Sequence, residues 1–323
     1  MATKVAILGA GSCFGVNLAA CLLDHGGYDL LGIGRSPWKP ECFTLGVKYP
    51  YHVYHINREG KYVVKLIHDF EPDVIVNFAA QGEGAASWGA DAWRFFDTNT
   101  TALSRLCLSL DRSRFGRFIQ VGSSEVYGSR TAPAKEDDAP TPTSPYGVSK
   151  AAFDEFLRVM WARAKFPSIV VRPCNAYCPG QQLHRVIPRA MIYGSTGRKL
   201  PLHGGGKSRK TWLHATDVSR AIMLLFKGDL GGIYNVGADE PTSVREVMEM
   251  CAKTLGLRLD ELVEGAGERF GQDDCYYLDS SKIKALGWRQ TIGWQDGLMQ
   301  MRNWVHAYPE ITRMSDQFAG VRE

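Results

Sequence analysis

Tyr146 and Lys150 stand four residues apart in the run Tyr146-Gly147-Val148-Ser149-Lys150. On a helix that spacing puts both side chains on one face, so the ammonium can sit near the phenol. A cation in that position favours the phenolate and lowers a pKa that begins at about 10. A phenolate near neutrality can take a hydroxyl proton while the hydrogen on the same carbon leaves as hydride. A second cluster, Gly122-Ser123-Ser124-Glu125, offers two hydroxyls and a carboxylate. A third, Gly9-Ala10-Gly11-Ser12-Cys13-Phe14-Gly15, is a glycine loop of the kind that lets the backbone approach a pyrophosphate. Alone, a tyrosine and lysine four apart are usually a surface contact. Their conjunction with a serine-bearing strand end and a glycine loop is what suggests redox chemistry on a bound dinucleotide.

These groups need elements to converge them. Apolar runs at 4–8, 29–33, 73–78, 117–121 and 168–172 read as buried strands, with helices near 14–25, 59–70, 91–111 and 147–165 between them. Strands alternating with helices predict a parallel sheet with right-handed crossovers. Ligands bind such sheets beyond the carboxyl ends of the strands, where each motif above lies. The second half reads as mixed: helices over 186–197, 215–228, 242–255 and 293–307, and a strand at 232–236. Thr242, Ser243 and Glu246 resemble a helix cap. The expected class is α/β, a Rossmann-type doubly wound parallel sheet (1–172) with a smaller mixed α/β C-terminal part (173–323) for substrate. Some segments of that part are expected to return to the Rossmann core.

The second strand ends in Gly34-Arg35-Ser36, and no carboxylate lies between Leu30 and Pro40. An acidic residue there would bind the ribose 2′-hydroxyl of NAD, whereas an arginine accommodates a 2′-phosphate, so NADP is favoured over NAD. The composition is that of an ordinary globular protein, with a net charge of +4 and basic residues spread along the chain. That argues against nucleic acid as main partner and fits a small anionic ligand. No apolar run approaches the roughly 18 residues needed to span a bilayer, and the N-terminus enters a strand pattern directly, so a cytoplasmic protein is expected. The eight cysteines lack zinc-ligand spacing and read as buried thiols, Cys174 and Cys178 included, with no metal site.

Taken together, residues 4 to about 305 resemble the extended short-chain dehydrogenase/reductase family, in particular its nucleotide-sugar epimerases and dehydratases. Asn77-Phe78-Ala79-Ala80-Gln81 is similar to that family's NLAAQ signature, and Arg172-Pro173-Cys174-Asn175-Ala176-Tyr177-Cys178-Pro179-Gly180-Gln181 to RPFNVYGPGQ. Gly204-Gly205-Gly206-Lys207-Ser208-Arg209 resembles a nucleotide loop, and Tyr234-Asn235-Val236-Gly237 and the stretch 269–288 extend the likeness. The resemblance implies Tyr146 as base, Lys150 as its electrostatic partner and ribose ligand, and Ser123 as a hydroxyl bonded to the sugar. It implies a dinucleotide held by Gly9, Gly11, Ser12, Cys13, Phe14, Gly15, Arg35, Asn57, Ala79, Ala80 and Lys150. Asn175 would bind substrate phosphate, Arg209 and Arg269 would clamp the nucleotide diphosphate, and Gln81 and Ser87 would lie near nicotinamide or sugar. The helices near 91–111 and 147–165 resemble the pair through which family members form homodimers.

Glu125 separates the possible reactions. In the family's 4,6-dehydratases the corresponding glutamate takes the C5 proton once C4 is a ketone, and simple 4-epimerases usually lack it. Ser124 stands where many dehydratases carry an aspartate, although GDP-mannose 4,6-dehydratases, which the chain also resembles at 27–35, have serine. The implied activity is therefore that of a lyase, an NDP-sugar 4,6-dehydratase acting on a nucleotide-diphosphate sugar. An NDP-sugar 4-epimerase or a UDP-glucuronate-type decarboxylase is the alternative, and a non-catalytic NAD(P)-binding regulator is the remote one. Departures from the pattern are Ser12 for the loop's middle glycine, Asn57 for an aspartate at the adenine amine, Cys178 for glycine and Lys210 for aspartate.

Overall fold

The structure, a computed structural model, describes residues 1–82, 87–268, 271 and 273–314. Val5, Ala6, Ile7 and Leu8 are all almost fully buried, so strand β1 (Thr3–Leu8) has protein on both faces, as a parallel sheet with helices on each side requires. It is joined by β2 (Tyr28–Gly34), β3 (Tyr51–Val53), β4 (Val74–Asn77), β5 (Arg117–Val121), β6 (Ser168–Pro173) and a closing strand at Ile233–Val236. All seven pair in parallel, in the order closing strand, β6, β5, β4, β1, β2, β3. Chain order reverses between β1 and β4. Their carboxyl ends, Leu8 and Asn77, are paired neighbours in the register. The loops that leave them carry the glycine cluster and Ala79-Ala80-Gln81, so both open into one crevice.

Helix α1 (Cys13–His25) begins where Ser12 caps it: the Ser12 Oγ accepts from the Gly15 N–H at 3.1 Å. The helix Pro145–Ala164 is capped by Ser144, whose Oγ accepts from the Gly147 N–H at 3.0 Å, and Pro145 sits in its first turn. That start fixes Tyr146 and Lys150 in the first turns of one helix. The helix expected near 91–111 runs from Trp93 to Ser109 but contains a π-helical stretch, Asp97–Ala102. Within that wider turn Asn99 is buried, accepting from the Gln81 N–H at 2.7 Å and donating to Gln81 O and Ser149 Oγ, both at 3.0 Å. Beyond β6 the chain builds a second core from Val186–Ser195, Val244–Leu255 and Trp294–Ala307, centred on Ile192, Met248, Leu298 and Trp304. Ser243 and Glu246 form a full capping box there. Among the described residues no helix is long and apolar enough to cross a membrane.

Candidate active site

β5 ends at Val121 and the chain turns through Gly122 into a short 3₁₀ segment, Ser124–Tyr127, that Ser123 caps by accepting from the Glu125 N–H at 3.2 Å. This turn delivers Glu125 toward the start of the Pro145–Ala164 helix. The phenol of Tyr146 is hydrogen-bonded to Ser123 and feels the charge of Glu125. Its backbone N–H donates to Ser87 Oγ at 3.2 Å, and the Phe95 ring meets it edge-on with centroids 6.2 Å apart. Ser123, Glu125 and Tyr146 thus come together, with Ser87 against the Tyr146 backbone.

Electrostatics there differ from the sequence expectation in one respect. Burial, followed by the negative charge of Glu125, holds the Tyr146 phenol above its ordinary value, with the Ser123 hydroxyl and Arg185 opposing. Lys150 is not among the largest of these influences. Its Nζ donates to the Val121 carbonyl at 2.7 Å, and burial brings its own pKa down to about 8, against a partial pull upward from Asp154. The spacing put Lys150 on the correct face, but a carbonyl at the end of β5 competes for its ammonium. Glu125 is raised chiefly by burial, with Lys210 and Arg185 holding it back.

Beneath Lys150 lies a buried polar chain. Arg172 Nε donates to Asp154 Oδ2 at 2.9 Å and Arg172 Nη1 to the Tyr127 hydroxyl at 2.7 Å, which in turn donates to Asn235 Oδ1 at 3.0 Å. Gly122 permits this arrangement, since a side chain there would meet Asp154 Oδ2 at 3.2 Å.

The crevice between β1, β2 and β4 is lined by Gly9, Gly11, Ser12, Arg35, Asn57, Ala79, Ala80 and Gln81, so these expected residues converge. Cys13, Phe14 and Gly15 are not on its wall. Cys13 instead packs with Cys178, Ala215 and Phe14, its thiol drawn down by a hydrogen bond with Cys178 and by Lys39 and Arg185. Gly9 is required for a different reason than ligand approach alone: at φ 73° a Cβ would lie 2.6 Å from the Ala79 nitrogen. Ser12 keeps φ at −77°, which is why a non-glycine residue is accommodated at that point of the loop.

Asn57 offers the clearest test of whether a dinucleotide fits. Its Nδ2 donates to Asp97 Oδ2 at 2.6 Å and to Thr98 Oγ1 at 3.2 Å, while its Oδ1 is buried without a partner. A carboxylate can only accept, so Asp97 fixes which way the amide faces and leaves an acceptor on the crevice wall. An exocyclic amine of a base is a suitable donor for it. The fit is good.

Residues 5–237 match the NAD dependent epimerase/dehydratase family. The chain belongs to that family. A dTDP-D-glucose 4,6-dehydratase of Homo sapiens is 32% identical over 325 residues, covering 96% of this chain and 93% of that protein. The crystal structure of the dTDP-glucose 4,6-dehydratase DesIV from Streptomyces venezuelae, with NAD bound, superimposes with a TM-score of 0.88 at 25% identity, covering 96% of this chain and 98% of that one. A UDP-glucuronic acid 4-epimerase from Bacillus cereus shares the fold, with a TM-score of 0.86 at 22% identity over 94% of this chain and 99% of the other.

As an epimerase/dehydratase family member the chain shows a less uniform grouping of its expected substrate residues. Asn175 begins the short strand Asn175–Tyr177, paired with Trp212–His214. Gln81 lies on the crevice wall, tied through its backbone to Asn99. Arg209 is half-exposed, bonded to Pro241 O and 3.7 Å from Glu246. Successive strand residues face opposite ways, and its neighbour Lys210 is the one whose charge reaches Glu125. Arg269 lies outside the described residues.

Several site residues carried no sequence signal. Arg185 lines the crevice, and its charge reaches Glu125, Tyr146 and Cys13. Tyr51 donates to Ser36 O at 2.7 Å and lies so close over β2 that a Cβ on Gly34 would be 2.1 Å from its hydroxyl. Tyr276, in a two-residue strand too short to show a period, and Asp273, just before that strand, approach Glu125.

Proposed function

We propose that this protein is an NDP-hexose 4,6-dehydratase in which Tyr146 takes the C4 hydroxyl proton and Glu125 takes the C5 proton. The observation that carries this reading is a carboxylate sharing one pocket with the family tyrosine: Glu125 acts on Tyr146 directly, and both meet Ser123. A ketone at C4 acidifies the C5 hydrogen, so a carboxylate whose proton affinity is raised by burial is well matched to remove it. The relatives named dTDP-glucose 4,6-dehydratases support the same chemistry. A nicotinamide dinucleotide bound in the crevice would accept hydride from C4 and return it later to C6.

For that cofactor, Gly9, Gly11 and Ser12 would face the pyrophosphate, with α1 pointing its N-terminus at the charge. Asn57 would accept from the adenine amine. Arg35, exposed on the crevice wall beside Ser36 and Lys39, supports a preference for NADP over NAD. Exposed Leu108, Val148 and Val159, on the segments 103–109 and 145–164, support a homodimer through those helices.

The direct test is incubation with NAD or NADP and, separately, dTDP-glucose, UDP-glucose and GDP-mannose, with products weighed by mass spectrometry. A product lighter by one water is expected. An isobaric product with inverted C4 would make the protein an epimerase, and carbon dioxide released from UDP-glucuronate would make it a decarboxylase.

A further inference from the structure

The short strand Cys275–Tyr276 runs alongside the turn that carries Glu125. The Arg130 N–H donates to Cys275 O at 2.9 Å, and the Cys275 N–H donates to Ser129 Oγ at 3.2 Å. Tyr276 is turned the other way, into the protein, and is buried. Its hydroxyl donates to Asp273 Oδ2 at 2.5 Å, and the charge of Glu125 acts on the same phenol. Two carboxylates therefore face one phenol, whose hydrogen is donated to Asp273. Asp273 accepts from Thr143 Oγ1 at 2.6 and 2.8 Å and is only partly buried, so it meets solvent. The Lys210 ammonium stands 5.1 Å over the Tyr276 ring and acts on Glu125 as well. Tyr276, the most buried of the three, stands between Asp273 and Glu125.

We propose that the Tyr276 hydroxyl relays protons between Asp273 and Glu125, recharging that base during each turnover. This rests on the dehydratase reading. In that reaction the C5–H bond breaks and its proton goes to Glu125. The C6–O bond breaks with its electron pair on oxygen, and that oxygen takes up a proton and departs as water. When hydride taken from C4 is returned to C6, C5 takes up a proton again. Two protons must therefore be delivered near C5 and C6, and Glu125 collects only one there. The other balances the proton that the C4 hydroxyl gave to Tyr146, which Tyr146 must shed because the product keeps the ketone. Among the described residues, Glu125 and Asp273 are the carboxylates that meet at this end of the pocket, and Tyr276 joins them. A proton passed from Asp273 through Tyr276 restores Glu125 without moving Glu125 away from the substrate. Lys210, close to both, holds the passing charge in place. Tyr276 acts through Glu125 and need not touch the sugar.

The test uses single turnovers of the cofactor-loaded protein with whichever NDP-hexose it dehydrates, following reduced-nicotinamide absorbance by stopped flow and deuterium at C5 from heavy water by NMR. In the wild type the absorbance rises and falls. Tyr276→Phe should keep the rise within a few-fold of wild type and slow the fall, together with C5 deuteration, by about 100-fold or more. Asp273→Asn, which still accepts from the phenol but cannot pass a proton on, should do the same. Decay within twofold of wild type in either variant would overturn the relay, as would an equal slowing of rise and fall, the mark of a merely structural loss. If wild-type protein loses no water from any NDP-hexose, the dehydratase reading fails first and the relay falls with it.

Discussion

Replacing Lys150 with methionine should make the cofactor-free protein more stable at neutral pH and less stable in alkali. Lys150 is 2% exposed, and burial lowers its pKa from 10.5 to about 8. At about 1.4 kcal/mol per tenfold change in proton affinity, keeping that ammonium charged costs the fold about 3 kcal/mol at pH 7. The sign follows from linkage. A lysine with a depressed folded pKa binds fewer protons folded than unfolded between about 8 and 10.5, so its penalty is full below that window and fades as pH rises through it. Methionine, of similar length but uncharged, removes the penalty and also leaves the Val121 carbonyl without its donor, a loss of about 1–3 kcal/mol. At pH 7 the variant should gain up to about 2 kcal/mol. By pH 10 the wild-type penalty has shrunk to about 1 kcal/mol, and the lost hydrogen bond should leave the variant equal or weaker. Urea denaturation of both proteins at pH 7 and pH 10, under reducing conditions, measures the difference. A variant weaker than wild type by the same amount at both pH values would refute the reasoning, because the buried charge would then contribute nothing.

Arg172→Met should leave Asp154 as a buried carboxylate without its cation and lower stability by about 3–5 kcal/mol, read as a fall in the urea midpoint. Glu125→Gln should stop water loss, by about 100-fold or more, while reduced nicotinamide still forms with substrate; full dehydratase turnover would remove Glu125 from the role of C5 base. Gly34→Ala would drive a methyl group against the Tyr51 hydroxyl, so cofactor binding measured by calorimetry should weaken at least tenfold although β2 still forms.

How far the sequence carried this picture depends on the length of each element. The five long apolar strands and the helices that separate them were readable because a buried parallel strand is apolar on both faces. β3 was not: Tyr51-His52-Val53 is three residues long, with two of them exposed, and has no period to detect. The π-helical turn at Asp97–Ala102 was equally silent, since residue types alone do not mark a change from four to five residues per hydrogen-bonded turn. Yet that turn buries Asn99 and carries Asp97, which decides the orientation of Asn57. In the candidate site Tyr146, Ser123 and Glu125 were singled out by local spacing and by the family resemblance. Tyr276, Asp273 and Arg185 were not, because their meeting depends on the packing of the second half. For Lys150 the spacing gave the face but could not show that a strand-end carbonyl would hold the ammonium.

The closing strand Ile233–Val236 pairs with β6, and Leu278 and Trp288 pack into the same core. On the ribosome, β6 is complete about sixty residues before its outer neighbour exists, an interval of about 3–12 seconds at ordinary elongation rates. Through that interval the nascent sheet presents a free parallel edge, the kind of surface on which chains pair with the wrong partner. Arg172 and Tyr127 also wait for Asn235 to complete their polar chain. The amino-terminal half of this protein is thus an unfinished template during its own synthesis. Its crevice gains Gln182 and Arg185 only when the later part of the chain has been made.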